Sequence, residues 1–449
     1  MRAWRACKRS FQENCTWSEP SHTIFRLLVT SWLLNALLTP YQYADCIKRF
    51  CHPGKSDSSK FGSSTMKMVA GTSSSVILAL FLLCSGHALG LKGDETEDNH
   101  LVSRSLDASQ TESFFDKLHT LFIFGDSISD TGFDPSGDVP SPVNPLGNPD
   151  FPGKTTAWGP NWVGLLTGYS KTLVAWNFAK YGSVIDKALL KSSRSDFSDQ
   201  LLKFTTYCTG KEFKVKWTSE DALFLTMFGQ NDLTVLIDRH LPDMKSVEDI
   251  QDFEEAAMDM TLHIMDHYMD AWATLYDYGA RKFVAITPIE YVAVPDTRKR
   301  VADLHATIDK ETGNKKQGKL IADKFLEALK HIASDFNSKL AALSHLFPSL
   351  YPGSTTFYYD ATLLMDQVIT GTRKCGYKNL VNFCLDYQAL KSTNPWYLYR
   401  PHEALRNCKN LRVDQYLWLD ALYPTWPFHG ILAAEIHAML SNVSQMSIS

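Results

Sequence analysis

The sequence predicts an α/β protein, namely a three-layer α/β/α sandwich with a central parallel sheet. Short apolar runs, typical of strands buried on both faces, alternate with long stretches whose apolar residues recur every three or four positions. Strands that alternate with helices in this way favour right-handed βαβ units and a parallel sheet. The chain has 449 residues, of which 44% are hydrophobic, and this suits a protein with a sizeable core.

The strands are predicted from apolar runs that end in turn-forming residues. Phe and Ile dominate the first run, which ends abruptly in Gly-Asp-Ser, and the third ends in Gly-Gln-Asn-Asp. In chain order these strand segments are Leu121–Gly125, a strand ending at Asn177, Ala222–Gly229, Lys282–Pro288 and Thr355–Asp360.

The helices are predicted from helical spacing of apolar residues and from their start and stop signals. Gly279 is placed to end the second helix, and the third should end before Pro348, since proline interrupts a helix. Thr425 and Pro427 are typical of a helix start. The four segments are Trp158–Leu166, Phe253–Leu275, Ile321–Leu343 and the stretch after Thr425.

A secretory signal peptide is predicted over residues 66–90. Val76–Cys84 is a nine-residue apolar run with a basic residue before it and small residues after it, and it is too short to span a bilayer. Because such signals stand at the start of a chain, we expect translation to begin at Met66 or Met68. The alternative is a membrane anchor with a cytoplasmic leader.

This interpretation divides the chain into five parts. Residues 1–65 are an upstream extension that we expect to be absent from the mature protein. Residues 91–114 are polar and acidic and form a flexible leader. Residues 115–442 form one domain, and residues 443–449 are a C-terminal tail.

Four cysteines remain after cleavage of the predicted signal: Cys208, Cys375, Cys384 and Cys408. An even number in a secreted protein predicts two disulfides, with three connectivities that the sequence leaves open. Their spacing lacks the paired C-x-x-C units of zinc sites. The sequence from Asn442 to Ser444 is a candidate N-glycosylation site.

Composition and charge narrow the classes of partner. The net charge of −4 gives no reason to expect nucleic acid or an anionic membrane as a partner. His263 and His267 have the i, i+4 spacing of metal ligands on a helix, but the Glu of a metalloprotease motif is missing, so a helix face is favoured over a metal site. We therefore predict neither a metal nor a cofactor.

Ser127, at the end of the first predicted strand, is a candidate nucleophile. Open parallel sheets carry their sites at the carboxyl ends of the strands, which is where the Gly-Asp-Ser turn delivers this hydroxyl. A serine nucleophile also needs a base and donors for the acyl oxygen. The alternative is that Ser127 only caps a following helix.

Four blocks in order, around Ser127, Gly182, Asn231 and the segment 416–429, give the chain a resemblance to the SGNH hydrolases, also called GDSL lipases and esterases. The resemblance covers roughly residues 118–440. It implies a flavodoxin-like α/β/α fold and hydrolysis of carboxylic esters through an acyl-enzyme. We expect a secreted monomer whose partner is an ester of a lipid or an acetylated carbohydrate, with membrane contact only through a lipid substrate.

The resemblance also implies roles for individual residues. Ser127 matches the nucleophile, and its N–H would be one oxyanion donor. The N–H of Gly182 and the side-chain amide of Asn231 match the other two donors. Asp420 matches the acid of the catalytic triad.

One position departs from the family pattern. The family has Asp-x-x-His, whereas this chain has Asp420-Ala-Leu-Tyr423, and a tyrosine is a poor base near neutral pH. Three hypotheses remain. His429, on the predicted C-terminal helix, could replace the missing histidine, although a buried structural histidine is the alternative. The protein could instead be a silent binding protein for a lipid or acetylated polysaccharide, or a slow hydrolase that uses Ser127, Asp420 and the oxyanion donors alone.

Overall fold

The computed structural model describes residues 113–210, 215–393 and 404–443. Within them lies a five-stranded, fully parallel sheet of order β2-β1-β3-β4-β5. Its strands are β1 (Thr120–Gly125), β2 (Val174–Asn177), β3 (Ala222–Met227), β4 (Lys282–Ile286) and β5 (Thr355–Tyr359).

Nine α-helices occur in the described residues, and short 3₁₀ turns lie between several elements. The second and fourth helices each begin with a side-chain capping box. The helices are α1 (Trp162–Thr167), α2 (Phe197–Cys208), α3 (Gln230–His240), α4 (Val247–Asp277), α5 (Pro295–Thr312), α6 (Lys315–Leu350), α7 (Ala361–Ile369), α8 (Leu385–Thr393) and α9 (Trp426–Ser441).

Each face of the sheet has its own hydrophobic core, because successive side chains of a strand point to opposite faces. Phe122 and Phe124 of β1 face the core formed with α2, α3, α4, α5 and α6. Leu121 and Ile123 face the core formed with α1, α7 and α9. All six residues of β1 are buried. The predicted three-layer α/β/α sandwich with a parallel sheet is therefore confirmed.

The order of the strands in the sheet indicates where a ligand-binding site is expected. Chain direction across the sheet reverses between β1 and β3, and in open parallel sheets ligands bind at the carboxyl ends of the strands beside such a switch point. Ser127 follows β1, and Asn231 follows β3. The two residues are 104 positions apart in sequence, and the fold brings their segments to the same edge of the sheet.

The predicted end of the third helix was wrong. Helix α6 continues to Leu350 and contains Pro348. A proline lacks the N–H that would bond to the carbonyl four residues earlier, which belongs to Ser344. That carbonyl instead accepts a hydrogen bond from the hydroxyl of Thr356 at 2.7 Å, so the helix keeps its last turn without an unpaired acceptor.

Of the two predicted disulfides, one is present and the other is not. Cys384 and Cys408 form one disulfide, but Cys208 and Cys375 are free thiols. Cys208 ends α2 and packs into the core on one face of the sheet, while Cys375 packs against the core on the other face. The sheet separates these two thiols, so they cannot approach to bonding distance.

The predicted upstream extension, signal peptide and almost all of the leader lie outside the described residues, as does Ser444 of the glycosylation motif. Among the helices that are described, none combines the length and apolar character required to cross a membrane.

Candidate active site

Ser127 lies in a tight turn directly after β1. The Asp126 carbonyl accepts hydrogen bonds from the N–H groups of Ser129 (3.1 Å) and Asp130 (3.0 Å). Residues 127–129 form this turn rather than a helix, so the interpretation of Ser127 as a helix cap was wrong. Gly125 is needed before the turn, since a Cβ there would lie 2.6 Å from the Met227 carbonyl of β3.

Buried amide side chains from neighbouring elements bind the main chain of the Ser127 turn. Asn161, the N-cap of α1, donates through Nδ2 to the carbonyls of Ser129 (2.9 Å) and Asp130 (3.1 Å). Asn177 at the end of β2 donates to the Ser129 carbonyl at 2.7 Å. Because these amides come from other elements, the position of Ser127 is fixed by the surrounding fold rather than by its own loop.

Gly182 occupies a turn after β2. The Ser183 N–H donates to the Lys180 carbonyl at 3.0 Å and closes a turn in which Gly182 has φ +78°. This left-handed conformation strains residues that carry a Cβ. Tyr181, the residue before it, donates its N–H to the Asp130 carboxylate at 2.8 Å, so the Gly182 turn is bonded directly to the Ser127 turn.

Asn231 lies in the first turn of α3, directly after β3. Its Nδ2 donates to the Ser183 carbonyl at 2.9 Å and makes a long contact of 3.5 Å with Asp126 Oδ2. Its Oδ1 accepts from Nη1 of Arg194 at 3.1 Å. The amide nitrogen of Asn231 therefore lies between the Gly182 turn and the residue that precedes Ser127.

Two buried carboxyl groups stand behind these residues. Burial raises the pKa of Asp126 to about 7, and repulsion from Asp232 adds to that effect. Burial likewise raises the pKa of Asp232 to about 7. Each accepts a main-chain hydrogen bond, Asp126 from Ile128 (3.0 Å) and Asp232 from Ile185 (2.8 Å). Two carboxyl groups near Ser127 therefore change their protonation around neutral pH.

Tyr423, three residues after Asp420, lies next to Ser127. It is buried, with 9% of its surface exposed, and its ring lies 6.2 Å from that of Tyr181. Burial raises the pKa of Tyr423 well above its usual range, and a hydrogen bond with the Ser127 side chain opposes this only in part. The tyrosine therefore contacts the serine as a neutral phenol at physiological pH.

Asp420 is held by two main-chain N–H groups and by a lysine. Its Oδ1 accepts from the N–H groups of Leu422 (2.8 Å) and Tyr423 (2.9 Å). Its Oδ2 forms an ion pair of 2.7 Å with Nζ of Lys391 on α8. That ammonium also lies 4.7 Å from the centre of the Tyr423 ring. The carboxylate that would orient an imidazole is thus paired with a lysine.

His429 is fully buried in α9, and its Nδ1 accepts a hydrogen bond from the Trp162 N–H of α1 at 3.4 Å. Its Nε2 has no hydrogen-bond partner among the described residues. Burial lowers the pKa of His429 to about 3, so the imidazole is neutral. The structure ties His429 to the helix packing between α1 and α9 and gives it no hydrogen bond to Ser127 or Asp420 among the described contacts.

A cleft of about 510 Å³ opens beside the serine. Thr156 in its wall donates its hydroxyl to the Ser127 carbonyl at 2.9 Å, which fixes the cleft next to the nucleophile turn. The residues that line it are Asp130, Gly132, Lys154, Thr155, Thr156, Lys180 and Tyr181. The cleft has the volume of a site for a small ligand.

The histidine pair on α4 is not part of this site. His263 and His267 are both exposed and lie beside Asp259 (3.8 Å) and Asp186 (2.8 Å), respectively. The described residues contain no group of three or more side chains arranged to hold a metal ion.

Comparison with known proteins assigns the chain to a family. The model of the GDSL-like lipase/acylhydrolase family matches residues 121–403. An acetylesterase from Thermothelomyces thermophilus is 33% identical over 225 residues, which are 49% of this chain and 66% of the relative. A GDSL esterase/lipase from Arabidopsis thaliana is 24% identical over 297 residues, 60% of this chain and 78% of the relative.

The parallel sandwich with a serine at its switch point is thus an enzyme fold of the ester-hydrolase class. The chain belongs to the GDSL-like lipase/acylhydrolase family, as the resemblance of the four blocks implied. The family match contains the segments of Ser127, Gly182 and Asn231 but ends before Asp420 and Tyr423. The departure in the sequence thus falls beyond the matched region.

Sequence reasoning missed three neighbours of the site: Arg194, Lys391 and Asp232. Asp232 follows Asn231 directly, so its place in the motif could have indicated it. Arg194 and Lys391 stand in loop or helix segments without a motif, and only the folded contacts identify them.

Proposed function

We propose that this protein is a secreted carboxylic-ester hydrolase that acts through an acyl-enzyme on Ser127. The observation that carries the proposal is the meeting of three separate segments at one sheet edge. The Asn231 amide lies 3.5 Å from the residue before Ser127, and the Gly182 turn is bonded to the Ser127 turn through Tyr181 and Asp130. Three such donors around a serine suit an acyl oxygen that becomes negatively charged.

In the proposed reaction, Ser127 Oγ attacks the acyl carbon. The resulting oxyanion receives hydrogen bonds from the N–H groups of Ser127 and Gly182 and from Nδ2 of Asn231. The 3.5 Å contact of Asn231 with Asp126 is the weaker of its two, so a substrate oxygen can replace it. Loss of one such donor typically costs about 3–4 kcal/mol of transition-state stabilisation.

Tyr423 handles the proton in this proposal. A neutral phenol is a poor base, but it can accept the proton of the Ser127 hydroxyl while giving its own proton to the leaving alcohol oxygen. Tyr423 ends this step unchanged. Water then attacks the acyl carbon and gives a proton to Tyr423, the bond between the acyl carbon and Ser127 Oγ breaks, Tyr423 returns its own proton to Oγ, and the acyl group leaves as the carboxylic acid. Because a true general base contributes roughly 10²–10⁴-fold, we expect weakened turnover. We assign His429 a structural role, since its packing against Trp162 supports that alternative.

The relatives favour a small acyl group, since one of them is named an acetylesterase. The cleft of about 510 Å³ is large enough for a short acyl group and its alcohol. Secretion rests on the signal-like segment 66–90, and sequencing the N-terminus of exported material tests it.

The deciding experiment is turnover of 4-nitrophenyl acetate by wild type and Ser127→Ala. We expect Ser127→Ala to lower kcat/KM at least about 10³-fold. Ser129→Ala is the matched control, because Ser129 lies in the same turn and its side-chain hydroxyl, among the described hydrogen bonds, accepts from Trp162 Nε1 rather than joining the oxyanion donors. Mass spectrometry after treatment with diethyl 4-nitrophenyl phosphate should find the phosphoryl label on Ser127.

A silent binding protein is the second candidate function. The ion pair between Lys391 and Asp420 favours it, because the carboxylate is not available to an imidazole. Equal rates for wild type and Ser127→Ala, with no label on Ser127, would reject the hydrolase and support this candidate.

A further inference from the structure

Arg194 joins the two residues proposed to supply oxyanion donors from outside the nucleophile turn. It lies between β2 and α2, and its Nη1 donates to Asn231 Oδ1 at 3.1 Å and to the Gly182 carbonyl at 3.4 Å. Gly182 follows β2, whereas Asn231 lies in the first turn of α3, so these residues come from two different crossovers of the sheet. One guanidinium therefore links two independent parts of the site.

The chemistry of the guanidinium fixes the orientation of the Asn231 amide. A guanidinium only donates hydrogen bonds, so the amide must turn its oxygen toward Arg194. The amide nitrogen then faces the Ser183 carbonyl (2.9 Å) and Asp126 (3.5 Å). This is the orientation in which Asn231 presents an N–H toward the turn that carries Ser127.

The charge of Arg194 also balances buried carboxyl groups. Burial raises the pKa of Asp232, and the positive charge of Arg194 opposes that rise. Asp126 lies behind the same site and is fully shielded from water. An oxyanion that forms near two carboxyl groups is disfavoured by any negative charge on them, and a cation nearby offsets this repulsion.

We propose that Arg194 is a positioning residue for the oxyanion hole. Its guanidinium orients the two donors Asn231 and Gly182, and its positive charge offsets the negative charge of the nearby carboxyl groups. This inference rests on the proposed ester hydrolysis. Arg194 does not touch the reacting atoms; it acts through the two donors, and its loss should affect the transition state more than substrate binding.

The test measures kcat and KM for 4-nitrophenyl acetate in Arg194→Met and Arg194→Lys. We expect Arg194→Met to lower kcat about 10- to 30-fold, with KM changed less than about twofold, since one preorganised donor is loosened and none is removed. Arg194→Lys keeps the charge but not the planar fork, so it should recover kcat to within about fivefold of wild type.

Arg239→Met is the matched control. Arg239 on α3 donates to the Leu190 carbonyl and so holds the same segment between β2 and α2, but it contacts neither Gly182 nor Asn231 in the described set of bonds. We expect its kcat within about twofold of wild type. Equal losses in Arg194→Met and Arg239→Met, or no loss in either, would overturn the positioning role.

A second measurement does not depend on turnover. The side-chain amide resonances of Asn231, assigned by comparison with Asn231→Asp, should shift or broaden in Arg194→Met and remain in place in Arg239→Met. Unchanged resonances in Arg194→Met overturn the inference even if the enzyme is active. If wild type proves inactive while the resonances shift, the proposed hydrolysis fails but the contact of Arg194 with Asn231 stands.

Discussion

The nucleophile half of the site (Ser127, Gly182, Asn231) and the base half (Asp420, Tyr423) are built in different ways. The first follows three adjacent strands, and hydrogen bonds join its turns to one another. The second lies between α8 and α9, outside the sheet, and the family match stops before it.

The difference between the halves follows from how each is held. Strand ends cannot move without disturbing two cores, so the residues on them keep their positions. A connecting segment can exchange side chains at lower cost. In this chain the base half carries the phenol of Tyr423 and an ion pair between Asp420 and Lys391. Three predictions test this contrast.

The largest effect is expected from Tyr423→His, which restores the family pattern in the base half. An imidazole next to Ser127 can act as a general base at neutral pH, so kcat/KM for 4-nitrophenyl acetate should rise about 100-fold, equivalent to about 2.7 kcal/mol. Adding Lys391→Met should raise it further, because Asp420 is then free to orient the imidazole.

The control for this prediction is Tyr278→His, which places an imidazole at an exposed position before β4, at the opposite edge of the sheet from Ser127. It should leave kcat/KM within about threefold of wild type. If Tyr423→His folds normally and shows no gain, the halves are not independent and the proton path proposed for Tyr423 is wrong.

An intermediate effect, on stability rather than on rate, is expected at His429. His429→Phe removes the acceptor of the buried Trp162 N–H and should lower the free energy of unfolding by about 2 kcal/mol in urea titrations. His429→Gln retains an acceptor oxygen and should lose less. Without urea, where both variants are folded, their kcat/KM should stay within about twofold of wild type. A tenfold loss of kcat/KM without a loss of stability would show instead that His429 is the catalytic base.

The smallest effect, counted per pH unit, is expected from the carboxyl pair behind the nucleophile half. The pKa of Asp232 is about 7 in the folded protein and near 3.8 when unfolded, so unfolding between these values releases a proton. The stability of wild type relative to Asp232→Asn should therefore fall as pH rises from 5 to 7, by at most about 1.4 kcal/mol per pH unit.

Urea midpoints at several pH values would measure this slope, and Asp252→Asn, at an exposed position of α4, controls for the substitution itself. If the slope of Asp232→Asn equals that of wild type, the buried pair does not take up a proton in this pH range. A slope of the opposite sign would mean that Asp232 is stabilised as a carboxylate.

Much of the fold was predictable because its signals are local. The composition of runs such as Leu121–Gly125 predicts buried strands, and the helical spacing of apolar residues from Phe253 to Leu275 predicts a helix. The end of α6 was not predictable, because the partner that satisfies the Ser344 carbonyl is Thr356, beyond the helix. The pairing of Cys384 with Cys408 was not predictable either, because the sequence does not show that Cys208 and Cys375 pack on opposite faces of the sheet.

The sequence by itself determined the parallel sandwich, the turn that presents Ser127 and the presence of a tyrosine, Tyr423, three residues after Asp420. The tertiary structure decided which partners these residues meet: Tyr423 against Ser127, Lys391 on Asp420, Arg194 on Asn231 and His429 on Trp162. Strands and helices follow from the spacing of apolar residues over a few turns, whereas these contacts join segments at least 29 residues apart and depend on packing that no local pattern encodes.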